Sequence, residues 1–165
     1  MSVIAAKVYP DKIEMSCDSI MLKGDQKSNY DKMRLIDDLL VGACGDADEI
    51  ALMFVFAEQY KPKSATVKDM MEYMSDFRAY KEGMFNKDTV ENEYLIGYQG
   101  KLFLVDRMFV SEVFAYAAIG AASTYALTSL YFGFSTQTAI DTACNLSCYA
   151  TLPVKTLTLE YKDKE

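Results

Sequence analysis

A four-layer α/β/β/α sandwich is the fold class this sequence predicts, and three observations lead to it. The candidate elements run in the order four strands, two helices, about three strands, two helices and one strand. Both strand groups are strongly apolar, so each sheet needs cover on both of its faces. The helices come in pairs. Two sheets facing each other, each covered outside by a helix pair, would bury all of this apolar surface.

Residues 2–9 read as a buried strand, and Tyr9-Pro10-Asp11-Lys12 as a turn with Pro and Asp in favoured roles. Residues 13–18 form a second strand, which makes 2–18 a hairpin. The polar stretch 19–31, with Gly24, reads as a loop. Lys32–Ile36 and Leu39–Ala43 pair around Asp37-Asp38. Asp46 caps a helix over about 47–60, where Ile50, Met53, Phe54 and Ala57 fall at helical spacing, and Pro62 ends it. Thr66 opens a second helix, with Asp69 three residues on. Met70, Met71, Met74 and Phe77 form its apolar stripe.

Glu93–Tyr98, Gln99-Gly100 and Lys101–Asp106 read as a hairpin with a two-residue turn. One further strand follows over Val110–Ile119. Two helices, about 122–132 and 136–150, are separated by Gly133-Phe134-Ser135. Lys155–Tyr161 alternates as a last strand, and the charged tail 162–165 is expected to fray. With no repeat, linker or low-complexity stretch, residues 1–165 read as one domain.

Composition narrows the function. The chain is 51% hydrophobic, with 12 Tyr, 9 Phe and 10 Met, so apolar surface is left over for subunit contacts. The net charge of −7 argues against nucleic acid and anionic membranes as partners. The longest apolar stretch, Met108–Phe134, is broken by Glu112, Gly120 and Gly133 and does not read as a membrane span. Cys17, Cys44, Cys144 and Cys148 lie in apolar segments, and no signal peptide precedes them. A reduced, cytoplasmic setting is expected. Cys144 and Cys148 share a helix face at i, i+4, but two thiols without further ligands make a poor metal site. No metal or cofactor is expected.

Ser2 is the candidate nucleophile. Once Met1 is removed, one residue carries both a hydroxyl and a free α-amine, and Val3-Ile4-Ala5-Ala6 anchors it directly to a strand. An α-amine with a pKa of about 7.7–8.0 is partly neutral near pH 7 and can act as base for its own hydroxyl. The chain contains no histidine, which excludes a Ser-His-Asp triad and a Cys-His dyad. A hydrolase built on this chain must use a Lys, a carboxylate or the α-amine as base.

The pattern resembles the proteasome β-subunit family, most closely its bacterial HslV-like branch, over residues 2 to about 160. Ser2 opens the first strand. Met15-Ser16-Cys17-Asp18-Ser19 ends the second strand in an acid at the family's distance from the nucleophile. Lys32-Met33-Arg34-Leu35-Ile36 is followed by Leu40-Val41-Gly42-Ala43-Cys44-Gly45-Asp46, and Ile119-Gly120-Ala121-Ala122-Ser123-Thr124-Tyr125-Ala126 matches a Gly-Ser-Gly turn and the helix behind it. The resemblance implies an N-terminal-nucleophile hydrolase fold and peptide-bond hydrolysis inside an oligomeric ring of like subunits. It implies unfolded polypeptide as substrate and an ATP-dependent unfoldase as a separate partner chain. It implies that Ser2 attacks, that Lys32 lies beside it, that Asp18 pairs with Lys32, and that the Gly45 N–H stabilises the oxyanion. The chain departs from the family at three supporting positions: Ala121 stands for the turn serine, Asn145 for an acid on the last helix, and Cys148 for a Ser or Thr three residues later. Two alternatives stand beside the peptidase. One is an inactive ring or scaffold subunit with the same fold, and the other an amidohydrolase acting on small amides.

Overall fold

The computed structural model describes residues 1–161. Ile4–Val8 (β1) and Lys12–Cys17 (β2) form the expected hairpin, with Ile4 opposite Cys17. Tyr116–Ile119 (β10) pairs with the other edge of β1, and Lys155–Glu160 (β11) with the other edge of β2, all antiparallel. The resulting sheet has the order β10-β1-β2-β11. A second antiparallel sheet joins Met33–Ile36 (β5), Leu39–Cys44 (β6), Glu93–Tyr98 (β7), Lys101–Asp106 (β8) and Phe109–Val113 (β9) in chain order. The helices are Ala47–Gln59 (α1), Val67–Phe85 (α2), Ser123–Tyr131 (α3) and Thr136–Leu146 (α4).

Three apolar layers hold this stack together, and strand alternation assigns each side chain to one of them. On β6, Leu39, Val41 and Ala43 point to α1 and α2, where Phe56, Met70, Met74 and Phe77 meet them. Leu40 and Cys44 point the other way, against Ile4, Met15 and Met33 between the sheets. On the first sheet, Val3 and Ala5 face Ala126, Leu130, Ile140 and Ala143 of α3 and α4. The order is therefore helix pair, sheet, sheet, helix pair. Gly42 lets the sheets approach, since a methyl there would stand 2.6 Å from the Met15 sulfur.

Three expectations are corrected. The stretch 19–31 is not a plain loop: Ile20–Lys23 (β3) and Gln26–Asn29 (β4) pair as a hairpin around Gly24-Asp25, with Gly24 at φ +62°. Its second strand, polar and exposed throughout, hides it from an apolar pattern search. Val110–Ile119 is not one strand. Phe114-Ala115 breaks it, and the chain passes from the edge of one sheet (β9) to the edge of the other (β10). The last helix stops at Leu146, with Ser147 extended and its hydroxyl accepting the Tyr149 N–H at 3.1 Å, a local turn that competes with helix continuation. Cys148 is therefore an exposed turn residue that shares no helix face with Cys144. The tail 162–165 lies outside the described residues.

Candidate active site

The β1–β2 register sets the site. With Ile4 opposite Cys17, the next pair beyond the ladder is Val3 and Asp18, and they exchange two bonds. The Asp18 N–H donates to the Val3 carbonyl at 3.2 Å, and the Val3 N–H donates to Asp18 Oδ1 at 2.9 Å. Ser2 is thereby held one residue from a fixed carboxylate and is only 6% exposed. Its carbonyl accepts the Ala122 N–H at 3.3 Å. Gly120 lies against that carbonyl: it sits at φ +93°, and a methyl on it would stand 2.4 Å from the Ser2 oxygen. A glycine is needed there twice over, for its backbone angle and for the contact. With Met1 attached, the Ser2 hydroxyl donates to the Met1 carbonyl at 2.5 Å, and the Ser2 nitrogen is an amide.

Asp18 is fully buried and fully occupied. Oδ1 takes the Val3 N–H and the Lys32 ammonium, the latter at 2.7 Å. Oδ2 takes the Ile20 and Thr151 N–H groups at 2.9 and 3.2 Å. Lys32, 2% exposed, also donates to the Asp18 carbonyl at 3.3 Å. Its own carbonyl accepts the Ala43 N–H at 2.9 Å, which ties the start of β5 to β6. Charge and hydrogen bonds are matched, the condition under which a buried ion pair is tolerated.

Ser2, Lys32 and Gly45 line one cavity of about 280 Å³, walled on one side by Met21 and Leu22 of β3 and by Tyr30. Gly45 follows β6 at φ +138°, and a methyl there would strike Asn92 Oδ1 at 2.1 Å. The Gly45 N–H has no intramolecular acceptor among the described residues. Asp46, next in the chain, caps α1 by accepting the Asp48 N–H. A free N–H at the start of a helix suits a developing negative charge.

The nearby cysteines do not compete as nucleophiles. Burial pushes the Cys17 thiol up to about 12 despite Lys32, and burial raises Cys44 further still. Both stay protonated, and a thiol is a poor nucleophile.

The three supporting positions bring no side-chain hydrogen bond to Ser2. Ala121 is exposed and shares a separate cavity of about 440 Å³ with Cys148. Asn145, exposed on α4, donates through Nδ2 to the Asp141 carbonyl and to Asp141 Oδ2 at 2.9 and 3.2 Å. Sequence reasoning also missed a polar cluster under Gly45, made of Asn92, Glu49 and Lys81. Its signal was a charge inside each apolar stripe. Glu49 stands at i−4 from Met53, and Lys81 at i+4 from Phe77.

Among the described residues, no group of three His, Cys, Asp or Glu side chains could hold a metal ion. No helix among them is long and apolar enough to cross a membrane.

No family model and no curated protein matches the sequence. Solved structures do. BPH of Thiobacillus denitrificans in complex with epoxomicin is 18% identical, with a TM-score of 0.85 over 96% of this chain and 98% of that one. A eukaryotic HslV from Trypanosoma brucei is 16% identical, with a TM-score of 0.72 over 96% and 99%. Anbu, an ancestral β-subunit from Yersinia bercovieri, is 14% identical, with a TM-score of 0.74 over 94% and 80%. At such identities the similarity establishes the fold, which is the proteasome-type sandwich these proteins share.

Proposed function

We propose that this chain is a single-domain, proteasome/HslV-like peptidase subunit whose nucleophile is Ser2 after removal of Met1. The observation that carries the reading is one cavity lined by Ser2, Lys32 and the unpaired Gly45 N–H, with Asp18 compensating the lysine from behind. In this mechanism Ser2 Oγ attacks the scissile carbonyl carbon while its proton passes to the α-amine, directly or through a water. The carbonyl oxygen becomes an oxyanion facing the Gly45 N–H. The C–N bond breaks as the α-ammonium protonates the leaving amine, which leaves an acyl ester on Ser2. Water then adds to the ester by the same proton route and frees the acid. The Lys32 charge disfavours a second positive charge nearby, which keeps the α-amine neutral and basic.

Strongly exposed apolar residues support assembly into a ring, with Phe114, Tyr131 and Phe132 at 82, 74 and 70% exposure. An enclosed chamber implies unfolded polypeptide as substrate, supplied by a separate ATP-dependent unfoldase. Four free thiols agree with a cytoplasmic setting.

Intact mass and a peptide epoxyketone such as epoxomicin, the ligand of one BPH structure, test the reading. The expected result is loss of Met1, one adduct per subunit on Ser2, and no adduct or hydrolysis in Ser2→Ala. Retained Met1 in the purified oligomer, or no adduct, rejects it. The second reading, an inactive ring or scaffold subunit, draws on Asn145, whose side-chain Nδ2 donates to Asp141 and not to Ser2, and on Ala121, whose side chain has no polar atom. It expects equal background hydrolysis from wild type and Ser2→Ala.

A further inference from the structure

We propose that Asn92 is a positioning residue for the Gly45 N–H, an inference that rests on the peptidase reading above. Asn92 lies just before β7, 46 positions from Asp46 in sequence, and is 2% exposed. Its side chain grips the Asp46 backbone from both sides. Oδ1 accepts the Asp46 N–H at 2.7 Å, and Nδ2 donates to the Asp46 carbonyl at 2.9 Å. This is the pairing two strands would make, supplied by one amide side chain. It holds the chain directly after Gly45, and Asn92 Oδ1 also fills the space where a side chain at 45 would go. With Asp46 spoken for, the Gly45 N–H is left as a free donor at the cavity.

Asn92 is itself anchored. Its N–H donates to Glu49 Oε1 at 3.1 Å, and the Glu91 N–H reaches the same carboxylate at 3.1 Å. The Tyr94 hydroxyl adds a bond at 2.6 Å, and Lys81 pairs with Oε2 at 2.5 Å while also donating to the Thr89 carbonyl. Glu49 and Lys81 are nearly solvent-free, at 0 and 2% exposure. Burial raises the Glu49 carboxyl, but these hydrogen bonds outweigh it and leave it below its ordinary value. The anchor is therefore a charged, fully bonded group at the first turn of α1. It fixes Asn92 relative to the helix whose start carries Gly45 and Asp46. A rigid support of this kind is what an oxyanion donor requires, because it acts by being in place before charge develops.

The test compares wild type, Asn92→Ala and Asn92→Asp as the assembled protein. The variant Asn92→Asp keeps an acceptor for the Asp46 N–H. Amide hydrogen–deuterium exchange over residues 43–49 is read first, since it needs no activity. The expected result is exchange at Asp46 faster by about tenfold or more in Asn92→Ala, near wild type in Asn92→Asp, and unchanged in residues 52–59 and 94–98 of both. Peptide hydrolysis is read second. Loss of a fixed oxyanion donor should lower kcat by roughly 10–100-fold in Asn92→Ala with KM within about twofold, and Asn92→Asp should recover most of it. Unchanged exchange at Asp46, equal loosening throughout α1 and β7, or a drop confined to KM overturns the proposal. Absence of hydrolysis and of any Ser2 adduct in wild type instead overturns the peptidase reading, and the Asp46 exchange then decides the clamp alone. Should Asn92→Ala not fold, Asn92→Asp decides: exchange at Asp46 as fast as in an unfolded chain overturns the clamp, and near-native exchange sustains it.

Discussion

The Lys32 ammonium and the Asp18 carboxylate meet at 2.7 Å with almost no solvent around either. Such a pair contributes little net stability as a unit, because desolvating both charges offsets their attraction. Removing one partner is a different matter. In Lys32→Met the Asp18 carboxylate keeps its three amide donors but loses its countercharge inside the protein. We expect a loss of about 3–5 kcal/mol, read by chemical denaturation, and, on the proposed peptidase reading, loss of the epoxyketone adduct at Ser2. Asp18 and Lys32 were legible in the sequence through their spacing within a family-like pattern. Asn92 was not, because its role is a pair of side-chain bonds to a distant backbone. No periodicity reports such a contact.

At the scale of the element, α1 and α2 each bring one charge into an otherwise apolar stripe, and the two meet as Glu49 and Lys81. Folding lowers the Glu49 pKa from its ordinary 4.5. A depressed acid stabilises the fold above the unfolded value and ceases to do so as the pH falls through the folded one. The stability gap between wild type and Glu49→Gln should therefore be widest near neutral pH and narrow below pH 4.5, as measured by urea denaturation across pH. The β3–β4 hairpin teaches a related lesson about reading elements. Gln26, Lys27, Ser28 and Asn29 are all exposed, so no apolar alternation marks the strand. The available signal was Gly24-Asp25, a two-residue turn dipeptide between two short runs of equal length. The buried strands, apolar on both faces, were legible as short apolar runs bounded by turn residues.

The whole molecule is three apolar cores between four layers of secondary structure, two of helices and two of strands, and its cysteines sample different depths. Cys17 and Cys44 lie between the β-sheets at 2 and 4% exposure, with the Cys17 thiol held up to about 12. Cys144 is half-buried with its thiol raised to about 11, and Cys148 is exposed. Thiol titration of the native protein should find Cys148 fast, Cys144 slow, and Cys17 and Cys44 silent until denaturant unfolds the chain. Fast labelling of Cys17 or Cys44 under native conditions would contradict this packing. The Asp18 carboxylate receives bonds from Val3, from Ile20, from Lys32 and from Thr151, parts of the chain up to 133 positions distant from it. A polypeptide still growing from its N-terminus thus lacks Thr151 when Val3, Asp18 and Lys32 already exist. Completion of this carboxylate's bonding waits for Thr151, so a chain released before that residue would hold Val3 and Lys32 on an Asp18 still one donor short.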